Sequence, residues 1–294
     1  TFSGDLGSAS KALQPSPESP AACDVLLLES TYGGRTRIRL TARERQDLLN
    51  RELAAGLAAG GNIIVPVFAV ERTQEILDDI ADLKSRGALG PVTVFLDSPL
   101  AGRTTEVFRR HEAALGNDGN RFTPGDFRFT ETVEQSKAID RIHGGAIVLA
   151  GSGMCDAGRI RHHLKRWLWN RTCTVLLVGF QAQGTLGRFL IDGAKAVRIQ
   201  GDEIKVAARI RLIDEYSGHA DGPELERWID AQAAAGHRFA VLGDFNRDLL
   251  ATTPKATPFF TFFHPDMQEA LLGMARDAGA TRRSFGGIRR SLRH

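Results

Sequence analysis

Six short apolar runs recur along the chain, at residues 25–28, 63–65, 92–96, 147–149, 175–178 and 197–199. Most are rich in Val, Ile and Leu at consecutive positions, and each is read as a strand with apolar residues on both faces. Runs of that kind belong to a largely parallel sheet covered on both faces. The stretches between them have a helical period and carry their own start signals. Thr41 and Glu44 form a capping-box pair ahead of Leu48, Leu49, Leu53 and Leu57. Ser98 and Pro99 supply an N-cap and a first-turn proline for a helix over residues 100–111. Asp221, followed by Gly222 and Pro223, does the same for a helix carrying Leu225, Trp228 and Ile229. Strands alternating with helices predict the α/β class.

Near Gly236 this alternation stops. A Phe-, Thr- and Pro-rich segment over residues 252–263 follows, then one helical pattern over 265–278 and an Arg-rich end over 284–294. The charge pattern changes at the same place. The chain holds 38 Lys and Arg against 35 Asp and Glu, a formal charge of +3. Residues 237–294 contribute nine basic against five acidic residues, which leaves 29 against 30 before them. The basic surplus therefore belongs to the tail, and charge alone carries no case for a nucleic-acid partner. No apolar run approaches the ~18 residues of a membrane helix, and the first residues lack the basic start and apolar centre of a signal peptide. Cys23, Cys155 and Cys173 show no C-x-x-C spacing, which argues against a disulfide framework or a zinc knuckle. Free thiols in a cytoplasmic protein are expected.

In α/β folds the chemistry gathers at the ends of strands. Asp5 follows Ser3 and Gly4, Glu29 ends the run 25–28, Asp97 ends the run 92–96, and His219 lies within Ser217-Gly218-His219-Ala220-Asp221. Asp97 and Asp221 read equally well as caps of the next helix, whereas Glu is a poor N-cap and Glu29 points to chemistry. The glycine-rich stretch 151–158 follows a strand and opens a helix. A dinucleotide fingerprint fails there, because Asp156 stands where the third glycine is needed and residues 171–183 hold no acidic residue for a ribose. What remains is a helix N-terminus suited to phosphate. Ser152 and Arg159 beside it, Thr185 and Arg188 in the stretch 184–188, and Arg72 next to Thr73 are the candidate substrate contacts. The adjacent His162 and His163 sit mid-helix, where packed or solvated histidine is expected.

Seven segments, in order, resemble the β-CASP branch of the metallo-β-lactamase fold, a group of RNA- and DNA-processing nucleases. They are residues 3–5 (Ser-Gly-Asp), 29–33 (Glu-Ser-Thr-Tyr-Gly), 66–74, 97–101, 152–159, 184–188 and 217–221. The resemblance implies a partial αββα metallo-β-lactamase sandwich formed by residues 1–34 and 206–236, with a β-CASP α/β domain over 35–205 inserted and a divergent or chimeric basic tail over 237–294. It implies zinc-dependent hydrolysis of a nucleic-acid phosphodiester, RNA above all, by two metal ions that activate water. Asp5 would be the metal ligand bridging the ions. Glu29 would orient His219, which donates a proton to the leaving 3′-oxygen.

Two parts of that family pattern are missing. None of the eight histidines forms the metal-binding H-x-H-x-D-H cluster, and Leu242 occupies the place of a further ligand histidine. Asp5 is what remains of the ligand set, so the isolated chain is expected to be nearly inactive, with a missing complementary segment or a homodimer as its partner. A non-catalytic RNA-binding subunit is the alternative. A third reading comes from residues 241–247, which are similar to the G-D-F-N strand end of magnesium-dependent endonuclease/exonuclease/phosphatase enzymes and would use Asp244 and Asn246.

Overall fold

The computed structural model describes residues 3–7, 13, 18, 29, 31–32, 36–37, 40–112 and 127–234. Contacts divide the chain into two units. One takes in Lys11–Pro15 and Ile38–Ser217, the other Thr1–Ser10, Ser16–Arg37 and Gly218–His294. The first unit is thus an insertion within the second, the arrangement the resemblance implies. The expected strand at 25–28, the tail segments beyond residue 234, Cys23, Asp244 and Asn246 lie outside the described residues.

The inserted unit is built on a six-stranded sheet. In chain order its elements are α1 (Ala42–Ala58), β1 (Ile63–Pro66), α2 (Arg72–Ser85), β2 (Thr93–Asp97), α3 (Pro99–Arg110), β3 (Phe127–Phe129), α4 (Val133–Ile139), β4 (Ala146–Ala150), α5 (Ile160–Trp167), β5 (Thr174–Leu177), α6 (Leu186–Ile191), β6 (Ala196–Ile199), β7 (Asp202–Lys205) and β8 (Arg209–Leu212). The strand order is β3-β2-β4-β1-β5-β8, and every pairing within it is parallel. β1, β4 and β5 are buried at every position, as their unbroken apolar runs require.

Alternate residues of these strands feed two cores. Ile63, Val65, Ile147, Leu149 and Leu176 pack with Leu49 and Leu53 of α1 and Ile76, Leu77, Ile80 and Leu83 of α2. Ile64, Val148, Ala150, Val175 and Leu177 pack with Ile160, Leu164 and Trp167 of α5 and Leu190 of α6. Each fully buried side chain of this kind contributes about 1.5–3 kcal/mol. Gly56 shows how tightly α1 lies on the sheet, since a Cβ there would come within 2.7 Å of Ile63.

The start signals act as read. Thr41 and Glu44 form the reciprocal capping box of α1, and the Ser98 hydroxyl accepts from the Ala101 amide ahead of α3. Residues 197–199 differ from expectation. They form β6, alternately exposed and buried, which pairs antiparallel with β7 rather than joining the covered sheet. Gln200 and Gly201 both take positive φ, the backbone of a two-residue hairpin turn. β8 joins the main sheet beside β5, and the unit that contacts define runs to Ser217.

In the other unit the described elements are few. α7 (Gly222–Ala234) begins where the sequence places it. Asp221 caps it reciprocally with Glu224: the Glu224 amide donates to Asp221 Oδ1 at 3.1 Å and the Asp221 amide to Glu224 Oε2 at 3.2 Å. Tyr32 and Asp221 form an isolated parallel bridge.

Candidate active site

Glu29 and His219, 190 positions apart in the chain, meet in the outer unit with His219 Nδ1 3.1 Å from Glu29 Oε1. The carboxylate is assembled by the local backbone. Its Oε1 accepts from the Leu6 amide at 2.9 Å and its Oε2 from the Thr31 amide at 2.8 Å. Behind it, the Glu29 amide donates to Ser3 Oγ at 3.1 Å, and Gly4 turns the chain with φ of +60°, a conformation glycine adopts without steric cost. The Ser-Gly-Asp motif thus builds the socket of Glu29.

Burial would raise the Glu29 carboxyl, but the His219 hydrogen bond and the Thr31 amide outweigh it and hold the group below its ordinary value of 4.5. Glu29 is therefore a carboxylate at neutral pH and only accepts. The hydrogen at the contact therefore sits on His219 Nδ1. The His219 side chain is 25% exposed. Its backbone is tied to the same socket, since the Ala220 amide donates to the Leu6 carbonyl at 2.8 Å. Asp5, next to Leu6, is exposed.

The other candidates lie in the inserted unit, all after the C-terminal ends of β1, β4 and β5. In the register Pro66 and Asp97 both align with Ala150, so the ends of β1, β2 and β4 are level. The structure turns two of the candidate arginines inward. Arg72 is 7% exposed, donates from Nε to the Tyr216 carbonyl at 2.8 Å and lies over the Phe68 ring at 4.7 Å. Arg159 donates from Nη1 to Asp97 Oδ1 at 2.7 Å and from Nη2 to the Glu131 carbonyl at 2.9 Å. Thr185 caps α6, accepting from the Arg188 amide at 3.2 Å. Arg188 pairs with Asp192 one turn on, at 2.7 Å. Ser152 is half-buried, and its hydroxyl accepts from the Ala157 amide at 3.3 Å.

Asp97 is the centre that sequence reasoning left undecided. It does not cap α3, a task done by Ser98. Its Oδ1 takes Arg159 and the Thr130 hydroxyl, and its Oδ2 takes Ser136 Oγ at 2.6 Å and His163 Nε2 at 2.6 Å. Burial would raise this carboxyl, yet the four partners, His163 foremost, hold it well below the usual carboxylate range. His163 is packed, as expected: it is 1% exposed and stacks on Trp167 with centroids 5.2 Å apart. The hub locks the strand-end loops of β2, β3 and β4 together. Its members are scattered through sequence, and the signal that could have exposed it is Asp97 standing beyond a fully buried strand with His163 facing the same core.

Among the described residues no three His, Cys, Asp or Glu side chains converge to hold a metal ion. The zinc centre that the resemblance implies does not fit these residues on their own, since Asp5 stands alone and Glu29 and His219 bond each other. Cys155 and Cys173 are free and buried, and burial pushes both thiols up. No helix among the described residues is long and apolar enough to cross a membrane.

Comparison with known families places this geometry. Residues 73–190 match the Beta-Casp domain, and residues 203–242 match a domain described as the Zn-dependent metallo-hydrolase RNA specificity domain. The chain belongs to the β-CASP family of the metallo-β-lactamase fold. The second match runs to residue 242, past Gly236 where the resemblance is expected to end. Over 241 residues this β-CASP chain is 38% identical to "Ribonuclease TTHA0252" of Thermus thermophilus, an alignment covering 79% of the chain and 54% of that relative. It is 31% identical over 234 residues to an "RNase J-like protein" of Methanocaldococcus jannaschii, covering 78% and 54%. It is 30% identical over 223 residues to "Transcription termination factor FttA" of Cenarchaeum symbiosum, covering 70% and 34%. The chain spans about half the length, or less, of these curated relatives.

Proposed function

We propose that this β-CASP chain is the RNA-engaging, proton-donating part of a zinc-dependent nucleic-acid phosphodiester hydrolase of RNA-processing type. The observation that carries the reading is the Glu29–His219 pair at 3.1 Å. Support comes from the names of the relatives, one a ribonuclease and one RNase J-like, and from the RNA-specificity description of the domain over 203–242. Asp5 is assigned to metal binding by family likeness; the rest of that ligand set is missing from this sequence, which has no H-x-H-x-D-H cluster and carries Leu242 at a ligand position. With a complete ligand set, zinc would supply the activated water of phosphodiester hydrolysis.

The chain's own residues account for the other half of the reaction. Glu29 keeps Nδ1 protonated and the imidazole aimed. Once the second ring nitrogen is protonated, His219 has a proton to give to the 3′-oxygen as it leaves, a step worth about 10²–10⁴ in rate. Ser152, Thr185, Arg72, Arg159 and Arg188 are assigned to RNA. For Arg72 and Arg159 that assignment works through the loops they hold, because their guanidinium groups are bound to protein acceptors.

Cleavage of an end-labelled RNA tests the reading. It is measured in the enzyme assembled with a complete metal-ligand set, from a longer chain or a complementary segment in trans. His219→Ala is expected to lower single-turnover cleavage at least about 100-fold while RNA affinity stays within threefold of wild type. Unchanged cleavage overturns the proton-donor role. RNA binding without cleavage in the zinc-loaded wild type overturns the hydrolase reading and favours the non-catalytic RNA-binding subunit.

A further inference from the structure

Arg37 engages the turn that carries His219 at two points. Its Nη2 donates to the His219 carbonyl at 2.7 Å, and its own backbone amide donates to Asp221 Oδ2 at 3.0 Å. Its guanidinium carbon lies 5.0 Å from the centroid of the Tyr32 ring. That ring, fully buried, meets the His219 imidazole edge-on, with centroids 6.2 Å apart and planes 64° from parallel. The Arg37 side chain is 13% exposed, so this is an inward commitment rather than a solvated surface cation.

We propose that Arg37 is a positioning residue for His219, fixing the backbone and ring orientation in which Nδ1 faces Glu29. The inference rests on the reading of His219 as the proton donor. A hydrogen bond to Glu29 fixes a distance but does not by itself fix the rotation of the ring about it. Two further constraints remove that freedom. Arg37 holds the His219 carbonyl, which sets the direction of the Cα–Cβ bond, and it backs Tyr32, whose ring closes off one side of the imidazole. A cation donating to a carbonyl at 2.7 Å is a charge-assisted hydrogen bond, about twice as strong as a neutral one.

A purely structural role would run through Glu224, the capping residue of α7. Arg37 Nη2 lies 3.8 Å from Glu224 Oε2, beyond hydrogen-bond range, so the closer engagement is with His219. The two roles make different predictions.

The deciding readout is the long-range ¹H–¹⁵N spectrum of the chain labelled with ¹⁵N-histidine at neutral pH. Wild-type His219 is expected to show a single tautomer with the hydrogen on Nδ1. Arg37→Ala is expected to collapse this to an average of two tautomers, and Arg37→Lys, which keeps a donor to the carbonyl, to recover part of the single-tautomer signal. Glu224→Gln should lower the melting temperature and leave the His219 resonances in place. A folded Arg37→Ala chain with the wild-type tautomer pattern overturns the inference, as does a Glu224→Gln chain that loses it. If Arg37→Ala fails to fold, Arg37→Lys decides on the same spectrum.

In the metal-complete enzyme Arg37→Ala should lower kcat by about 10–100-fold with KM within twofold, the mark of misplacement rather than lost binding. Equal loss in kcat and gain in KM would overturn the assignment. The failure of each idea is separable. Unchanged cleavage by His219→Ala removes the proton-donor reading, whereas an unchanged spectrum in Arg37→Ala removes only the role of Arg37.

Discussion

The inserted sheet unit and the turn that carries His219 are held together by different physics. In the sheet unit two apolar cores cover both faces of β1, β4 and β5, and polar groups appear where strands end. Around His219 the order is polar from the start: a carboxylate accepting two backbone amides, a reciprocal cap, and an arginine on a carbonyl. Apolar burial is non-directional and tolerates repacking. Hydrogen-bond networks are directional, and they lose geometry before they lose the fold. The contrast explains why the scaffold can be strong while the reactive group depends on a handful of bonds.

Asp97 is where the two kinds of construction meet, because it is a charge buried at the end of an apolar strand. The largest expected effect is therefore at this residue. Asp97→Ala leaves the Arg159 guanidinium and the buried His163 without their carboxylate, and should cost about 3–5 kcal/mol in urea unfolding followed by tryptophan fluorescence. A loss below about 1 kcal/mol would mean that the hub contributes little and that the apolar cores alone hold the strand-end loops.

Acid should separate the two regions. The folded carboxyl of Glu29 lies below its ordinary value of 4.5, so its contribution is present above that value and fades as pH falls through the lower, folded one. Amide exchange at Leu6 and Thr31, whose donors meet Glu29, is expected to quicken over that acid range while amides of β4 stay protected. Glu29→Gln should abolish the pH dependence at those two amides. A pH dependence that survives in Glu29→Gln would assign it to another group.

The smallest effect belongs to local signals. Thr41→Ala removes one side-chain cap from α1 and should cost about 1 kcal/mol, seen as a modest shift of the urea midpoint with an unchanged slope. A cost near that of the Asp97 variant would contradict the ranking of cores and hub above caps.

How much the sequence disclosed follows the same division. β1, β2, β4 and β5 are legible because a strand covered on both faces must be apolar at every position, and the caps at Thr41, Ser98 and Asp221 are legible because capping is local. β3, β7 and β8 are short, and β7 and β8 carry charged residues. An edge strand or a hairpin arm needs only part of its surface buried, and so leaves a faint pattern. β6 was misplaced for a related reason: a Val-Arg-Ile triplet looks like a fragment of a covered strand until its partner is known. At the site, Glu29 and His219 were legible from motifs. The Asp97 hub and the hold of Arg37 on the His219 turn were not, because the partners lie tens of positions away or more and no spacing rule connects them. Arg72 and Arg159 show the limit of reading side-chain type alone, since an arginine near a strand end serves a buried acceptor as readily as a phosphate.

The role of His219 is tested most directly by changing the leaving group. In the metal-complete enzyme, single-turnover cleavage is compared for an ordinary RNA and for one whose scissile 3′-oxygen is replaced by sulfur, a leaving group that departs without a proton. If His219 donates that proton, His219→Ala should slow the ordinary substrate at least about 100-fold and leave the sulfur-substituted one within a few-fold of wild type. An equal loss on both substrates would contradict proton donation by His219.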